Sequence, residues 1–221
     1  MVTAHGSSRP GAAYDRMIAT ASVRRVPPEW LRRCRPGGIM VVPLRGALTG
    51  SMVARLTKLP DGTAVGRILH SPAAFMPLVS GPSGPTQPPA VPDGWQFPQA
   101  DAEVSGRVLD DWTFSFFAQL HMPQGLLLTH GRTGDGLHVT TLFDHGDGSV
   151  TRIEDSSSGP PKVTSSGPRD LWAPIQSAHR LWRRLNRPRR EWFTIEATPT
   201  TQTVTYTAPD GEAHSWTLQG P

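Results

Sequence analysis

The sequence predicts an α/β block followed by an α+β block. Three observations carry this: an early strand, helix, turn, strand order; a Pro-rich interruption after it; and a long series of turn-separated β-type runs with one amphipathic helix. The interruption, Ser80 to Pro92, reads SGPSGPTQPPAVP, with four of its Pro before Ala90. Pro removes backbone donors and fixes φ, so such a stretch holds neither a ladder nor a helix. The chain is therefore divided into residues 1–79, a Pro/Gly-rich linker at 80–94, and a second domain at 95–221.

In the first block, Tyr14 to Ala21 (YDRMIATA) is a buried-strand candidate centred on Met17, Ile18 and Ala19. Pro27 and Pro28 suit the first turn of a helix over EWLRRCR, and Pro36-Gly37-Gly38 stops it before the apolar strand Ile39 to Leu44. Ser51 to Lys58 and Thr63 to Leu69 flank Pro60-Asp61-Gly62 and read as a hairpin. The second block has β-type runs at Leu126 to His130, Leu137 to Phe143, Ser149 to Glu154, Glu191 to Ala197, Thr203 to Thr207 and His214 to Leu218. Leu171, Ile175, Ala178, Trp182 and Leu185 recur at helical spacing over Asp170 to Asn186, with Pro174 tolerable only near the start of that helix.

Composition excludes some functions and leaves others open. Of 221 residues, 22 are Gly and 23 are Pro, which favours loop-rich globular structure over a helical bundle. Only Lys58 and Lys162 are lysine, so the +4 charge is an arginine charge and says little about partners. Cys34 is the single cysteine, which rules out an intramolecular disulfide and a four-cysteine zinc site. No apolar run approaches the roughly 18 residues of a membrane span. A cytoplasmic protein without a membrane partner is expected.

Tyr14 to Leu44, YDRMIATASVRRVPPEWLRRCRPGGIMVVPL, resembles the protein-L-isoaspartate O-methyltransferase pattern. The shared features are a Tyr-Asp strand, a Thr/Ser turn, a Val-Pro helix and an Arg-Pro-Gly-Gly strand ending in Pro. The following hairpin and Ala73 to Leu78 (AAFMPL) look like the end of the same domain. The resemblance implies that the first block is an α/β remnant of a doubly wound, Rossmann-like methyltransferase sheet. It also implies S-adenosyl-L-methionine as cofactor and a peptide or protein bearing Asp or isoAsp as substrate. The second block resembles the carboxy-terminal extension of a subgroup associated with ATP-grasp enzymes of peptide maturation, which makes such an enzyme a candidate partner.

By that resemblance the turn Thr20, Ala21, Ser22, Val23 faces the cofactor and the isoaspartyl carboxylate. Thr20 and Ser22 are the catalytic candidates, Ala21 a cofactor contact, and Val23, Arg24 and Pro43 substrate contacts. The family's Asp-Gly step at the adenine aligns with His5-Gly6, a departure from the pattern. Its Gly-rich loop and ribose-binding acid fall before Tyr14, where thirteen residues stand. The expectation is a fragment without the cofactor-binding half, from a true truncation or a misplaced start, and inactive alone. A non-catalytic peptide-recognition module is the alternative.

Other motifs have plainer explanations. Gly134-Asp135-Gly136 and Gly146-Asp147-Gly148 sit between β-type runs, so they are hairpin turns and not cofactor loops. His121, His130, His138 and His145 show no ligand spacing, and no metal is expected. Asp144 to Gly148 lacks the closing Glu of a calcium loop. His179 to Trp192 mixes Arg with Trp, as nucleic-acid surfaces do, but its apolar stripe makes it an amphipathic helix with a basic outer face; nucleic-acid binding ranks last. Limited proteolysis is expected to cut first between Ser80 and Pro92. A first product beginning inside the hairpin or the Asp170 helix would contradict the division.

Overall fold

The computed structural model describes residues 12–48, 50–71, 73–78, 98–123 and 125–218. The elements in chain order are β1 (Tyr14–Ile18), α1 (Pro28–Arg33), β2 (Cys34–Leu44), β3 (Met52–Lys58), β4 (Ala64–Ile68), β5 (Gln99–Asp101) and α2 (Trp112–Gln119). They continue with β6 (Leu126–Arg132), β7 (His138–Asp144), β8 (Val150–Glu154), β9 (Lys162–Ser166), α3 (Ala173–Arg184), β10 (Thr194–Ala197), β11 (Gln202–Thr207) and β12 (Ala213–Thr217). Two sheets result, one of seven strands in the order β1-β2-β3-β4-β10-β11-β12 and one of five in the order β5-β9-β8-β7-β6. They belong to two compact units. The first holds residues 1–46, 51–83 and 188–221, the second residues 47–50 and 84–187.

In the first unit, β1 and β2 are parallel with α1 as their crossover, as the strand, helix, strand order predicts. Glu29 in the first turn of α1 pairs with Arg32 and Arg33 in the last, while Trp30 and Leu31 point inward. β2 starts earlier than expected, at Cys34 and not Ile39. Its register jumps from Tyr14↔Cys34 to Arg16↔Ile39, so Pro36-Gly37-Gly38 bulges within the strand and does not end pairing, with Gly37 at φ 77°. Cys34 is buried, as expected, and burial pushes its thiol pKa up.

Every other pair in this sheet is antiparallel. The expected doubly wound sheet is therefore corrected: β1, α1 and β2 form one parallel crossover, and the observed sheet is mixed. Its side chains alternate cleanly. Met17, Met40, Leu56, Gly66, Ile195, Val204 and Trp216 stand in one row across the strands, and Met40, Leu56, Ile195 and Val204 are core. The neighbouring row, Ile18, Val41, Arg55, Arg67 and Thr194, turns the other way, and four of its five members are exposed. Gly66 is required where it stands, because a Cβ there would lie 1.8 Å from the Arg55 carbonyl oxygen.

The expected division of the chain is corrected here. Residues 188–218 do not join the second domain; β10 pairs with β4 from Thr194↔Arg67 to Ala197↔Ala64, and β11 and β12 follow it. The Gln202 side chain secures the arrangement, accepting from Val26 N at 2.8 Å and donating to Val26 O at 2.7 Å, all in the buried interior. Arg25 reaches the same segment and donates to Thr200 O at 2.8 Å. The 80–92 cleavage segment lies outside the described residues.

The second unit is α+β, as expected, with an all-antiparallel sheet and two helices. Its β6, β7 and β8 match expected runs, whereas β5, β9 and α2 carry no recognised periodicity. The α2 sequence WTFSFFAQ is aromatic and β-prone, and only its cap marks it: Asp111 Oδ1 accepts from Thr113 N at 2.8 Å and Phe114 N at 3.2 Å. α3 begins after Asp170, whose carboxylate accepts from Trp172 N, and its buried stripe is Ile175, Ala178 and Trp182. Phe114 packs on Trp182 at 5.3 Å. Asp144 to Gly148 is the expected tight turn, with Asp144 and Asp147 both paired to Arg169, which holds the Asp147 carboxyl down to about 2. Among the described residues no helix is long and apolar enough to cross a membrane.

Two stability effects follow. Gln202→Ala strands the buried Val26 N–H and C=O, at roughly 1–3 kcal/mol for each orphaned group; urea denaturation is expected to show the loss. His121 is held neutral by burial, its pKa lowered to about 4. The unfolded chain binds that proton near pH 6.5, so stability falls as pH drops from about 6.5 towards 4 and levels off below. The denaturation midpoint of His121→Gln is expected to drop less between pH 7 and 4.5 than that of the wild type.

Candidate functional site

The turn after β1 is the best-defined feature of the matched motif. Ala19 N donates to Val41 O at 3.0 Å, continuing the β1-β2 ladder. Val23 then forms an isolated parallel bridge with Leu44: Val23 N donates to Pro43 O at 3.0 Å and Arg45 N to Val23 O at 2.9 Å. On its other side Ser22 bridges Pro77, with Ser22 N donating to Met76 O at 2.9 Å and Leu78 N to Ser22 O at 2.8 Å. Residues 19–23 are thus held between the end of β2 and the AAFMPL segment. Open α/β sheets bind ligands at such carboxyl-terminal strand ends.

The expected site residues divide within this frame. Ser22 is 2% exposed and its hydroxyl donates to Phe75 O at 3.0 Å. That hydrogen bond ties the turn to the AAFMPL segment. Thr20 is exposed and Ala21 half-buried, so the turn offers the Thr20 hydroxyl outward. Val23 and Pro43 are buried neighbours across the bridge, and Arg24 is half-buried beside them. These six residues are brought together. His5 and Gly6 lie outside the described residues.

The sequence motifs assign no site role to Arg45, Ile18, Phe75 or Met76. Arg45 is carried to Arg24 by the bridge register, since the pairing Val23↔Leu44 sets the next residues side by side. Its Nε is buried and has no hydrogen-bond partner. Desolvation, and then the nearby charge of Arg24, lower its pKa. Around the turn, Ile18 is 76% and Met76 83% exposed, and Phe75 is partly exposed, leaving an apolar rim. Only the AAFMPL run hinted at the last two.

The remaining candidates separate from this site. His130 and His138, thought to lie apart, are brought to 5.4 Å between ring centroids on β6 and β7, with His130 Nδ1 3.3 Å from Thr140 Oγ1. Among the described residues no group of three or more His, Cys, Asp or Glu could hold a metal ion. Gly134 to Gly136 and Gly146 to Gly148 join antiparallel strands, β6 to β7 and β7 to β8. Neither leads into a helix, so neither fits an S-adenosylmethionine cradle.

Residues 5–83 match the family profile of protein-L-isoaspartate(D-aspartate) O-methyltransferase (PCMT). A protein-L-isoaspartate O-methyltransferase of Ignicoccus hospitalis is 37% identical over 70 residues, covering 32% of this chain and 32% of its own length. The one from Methylibium petroleiphilum is 38% identical over 73 residues, covering 33% of this chain and 27% of its own. The chain thus spans about a third of the length of the curated relatives it matches. A solved protein-L-isoaspartate O-methyltransferase aligns with 96% of this chain and 56% of its own at 15% identity and a TM-score of 0.34, below the level at which a shared fold follows. The turn, the crossover and the AAFMPL bridge all lie inside the matched stretch, so the similarity of residues 5–83 to the protein-L-isoaspartate O-methyltransferase family includes the site described above.

Proposed function

We propose that the chain serves the acceptor side of an S-adenosyl-L-methionine-dependent protein (isoaspartyl/aspartyl) carboxyl O-methyltransferase, and that alone it is inactive. The observation carrying this is the turn at Thr20 to Val23, pinned from both sides within the family segment. The substrate is an Asp or isoAsp carboxylate in a peptide or protein. Such an acceptor is already anionic near neutral pH, so the site needs no general base; it needs positioning and exclusion of water. Thr20 offers a hydroxyl to a carboxylate oxygen, the apolar rim of Ile18, Phe75 and Met76 limits solvent, and Ser22 fixes the backbone between them.

The described residues contain no Gly-rich strand-to-helix turn, and the two Gly-Asp-Gly turns are unsuitable. The cofactor contacts assigned to His5, Gly6 and Ala21 are therefore marginal at most, and no step is derived through the cofactor. A segment bearing the Gly-rich loop and ribose acid, in the same polypeptide or another, completes the site in this reading.

A second reading is supported by β6. Among the described residues it is the outer strand of the five-stranded sheet, and Leu126, Leu127 and Leu128 are half-exposed along it. An open edge with apolar side chains can add a peptide as a further strand. This suits a non-catalytic peptide-recognition module working with an ATP-grasp maturation enzyme.

Titration calorimetry decides between them. The 221-residue chain is expected to bind S-adenosylmethionine no better than millimolar, and a micromolar dissociation constant would sink the fragment reading. Joined to a methyltransferase segment carrying the Gly-rich loop, it should methylate an isoAsp peptide. In that protein Thr20→Ala is expected to lower kcat/KM about tenfold, or about 1.4 kcal/mol. Ser22→Ala should instead cost about 1 kcal/mol of stability through the lost hydrogen bond to Phe75 O. If the joined protein binds cofactor but never methylates, the peptide-recognition reading replaces the enzyme.

A further inference from the structure

The first unit leaves one pair of positive charges uncompensated at its proposed site. All of its described acids but the exposed Glu196 of β10 have other engagements: Asp15 pairs with Arg35, Glu29 with Arg32 and Arg33, Glu191 with His70 and Arg189, and Glu212 with His214. Asp61 and Asp210 accept backbone N–H groups within their own turns. Arg24 and Arg45 form no ion pair or side-chain hydrogen bond with any described residue. Arg25, next in sequence, has its Nη2 tied to the carbonyls of Pro199 and Thr200, which directs it to that segment and away from Arg45, although its Nε is also buried without a partner.

Arg24 and Arg45 are set side by side by the bridge at Val23 and Leu44, and both are half-buried. Arg45 Nε is turned inward with no acceptor. A sequestered guanidinium N–H beside a like charge is unfavourable in the empty protein, and an anion relieves both defects at once. Guanidinium groups match carboxylates in planarity and donor spacing.

We propose that Arg45 and Arg24 form a carboxylate site just beyond the ends of β2 and β1, and that it takes an acidic residue flanking the acceptor residue of the peptide. The assignment of the acceptor rests on the methyltransferase reading; the anion site does not. The acceptor carboxylate itself is a poor occupant, because paired guanidinium donors would engage the oxygen lone pairs that must attack the methyl carbon. A neighbouring Glu or Asp instead orients the peptide and leaves the acceptor oxygens free. Arg45 is thereby a specificity-determining residue.

The test uses the 221-residue chain and end-capped hexapeptides in which isoAsp is flanked on both sides by Glu or, for comparison, by Gln. By titration calorimetry at low salt, the wild type is expected to bind the Glu peptide at least tenfold more tightly. Arg45→Gln and Arg24→Gln should each remove that preference. Arg45→Lys, which keeps the charge but not the bidentate geometry, should keep about threefold. Arg183→Gln, on the exposed face of α3, should keep it all. Equal binding of the two peptides by the wild type, or a preference surviving both Gln variants, overturns the site. If Arg45→Gln melts early, the half-exposed Arg24→Gln variant decides. Replacing isoAsp by Gly in the Glu peptide should leave the preference intact. Intact preference without methylation by the joined protein would then overturn the methyltransferase reading and leave the anion site standing.

Discussion

The pairing of β4 with β10 is the constraint on which the first unit depends. Without it, β4 would be an open edge, and the core row from Met40 through Leu56 would end at Gly66, which has no side chain to cover it. With it, Ile195 and Val204 extend the buried row, and Phe193 O accepts from Ile68 N at 3.1 Å. Gln202 carries the constraint towards the site, because its side chain satisfies both backbone groups of Val26, immediately before α1. α1 is the crossover that makes β1 and β2 parallel. The turn after β1 therefore takes its position from strands nearly two hundred residues away in sequence.

That dependence explains how a single parallel crossover can sit in a mixed sheet. A parallel sheet is normally covered on both faces and grows by further crossovers. Here one crossover is followed only by antiparallel additions, which need no crossover helix and leave a face polar. The row Arg55, Arg67 and Thr194 is such a face. The chemistry proposed for the turn draws on the parallel part, where strand ends gather loops; the stability comes from the antiparallel part.

At the site, polar groups differ in how fully they are satisfied, and function follows that difference. The Ser22 hydroxyl and Arg25 Nη2 donate to backbone carbonyls and so hold backbone. Arg24 and Arg45 form no such bonds with described residues, and they stand with Thr20 at a turn bridged on both sides. Ser22 shows what the motif leaves open: residue type and position suit catalysis, while its hydroxyl donates to the Phe75 carbonyl.

The sequence by itself determined the local pieces. β-type runs with Asp-Gly turns located most strands, Pro27 and Pro28 announced α1, the stripe from Leu171 to Leu185 announced α3, and the Tyr14 to Leu44 motif carried the family resemblance. Each is legible because its cause lies within a few residues. α2 stayed hidden because its aromatic composition outweighed its only local signal, the Asp111 cap. What only the tertiary structure decided was pairing across distance: β10 beside β4, Gln202 on Val26, His130 near His138, and Arg45 next to Arg24. Hydrophobic alternation says that a strand must be covered and on which face, but many strands satisfy that demand equally. The choice among them rests on register and on the geometry of buried polar groups, which exist only once the chain has folded.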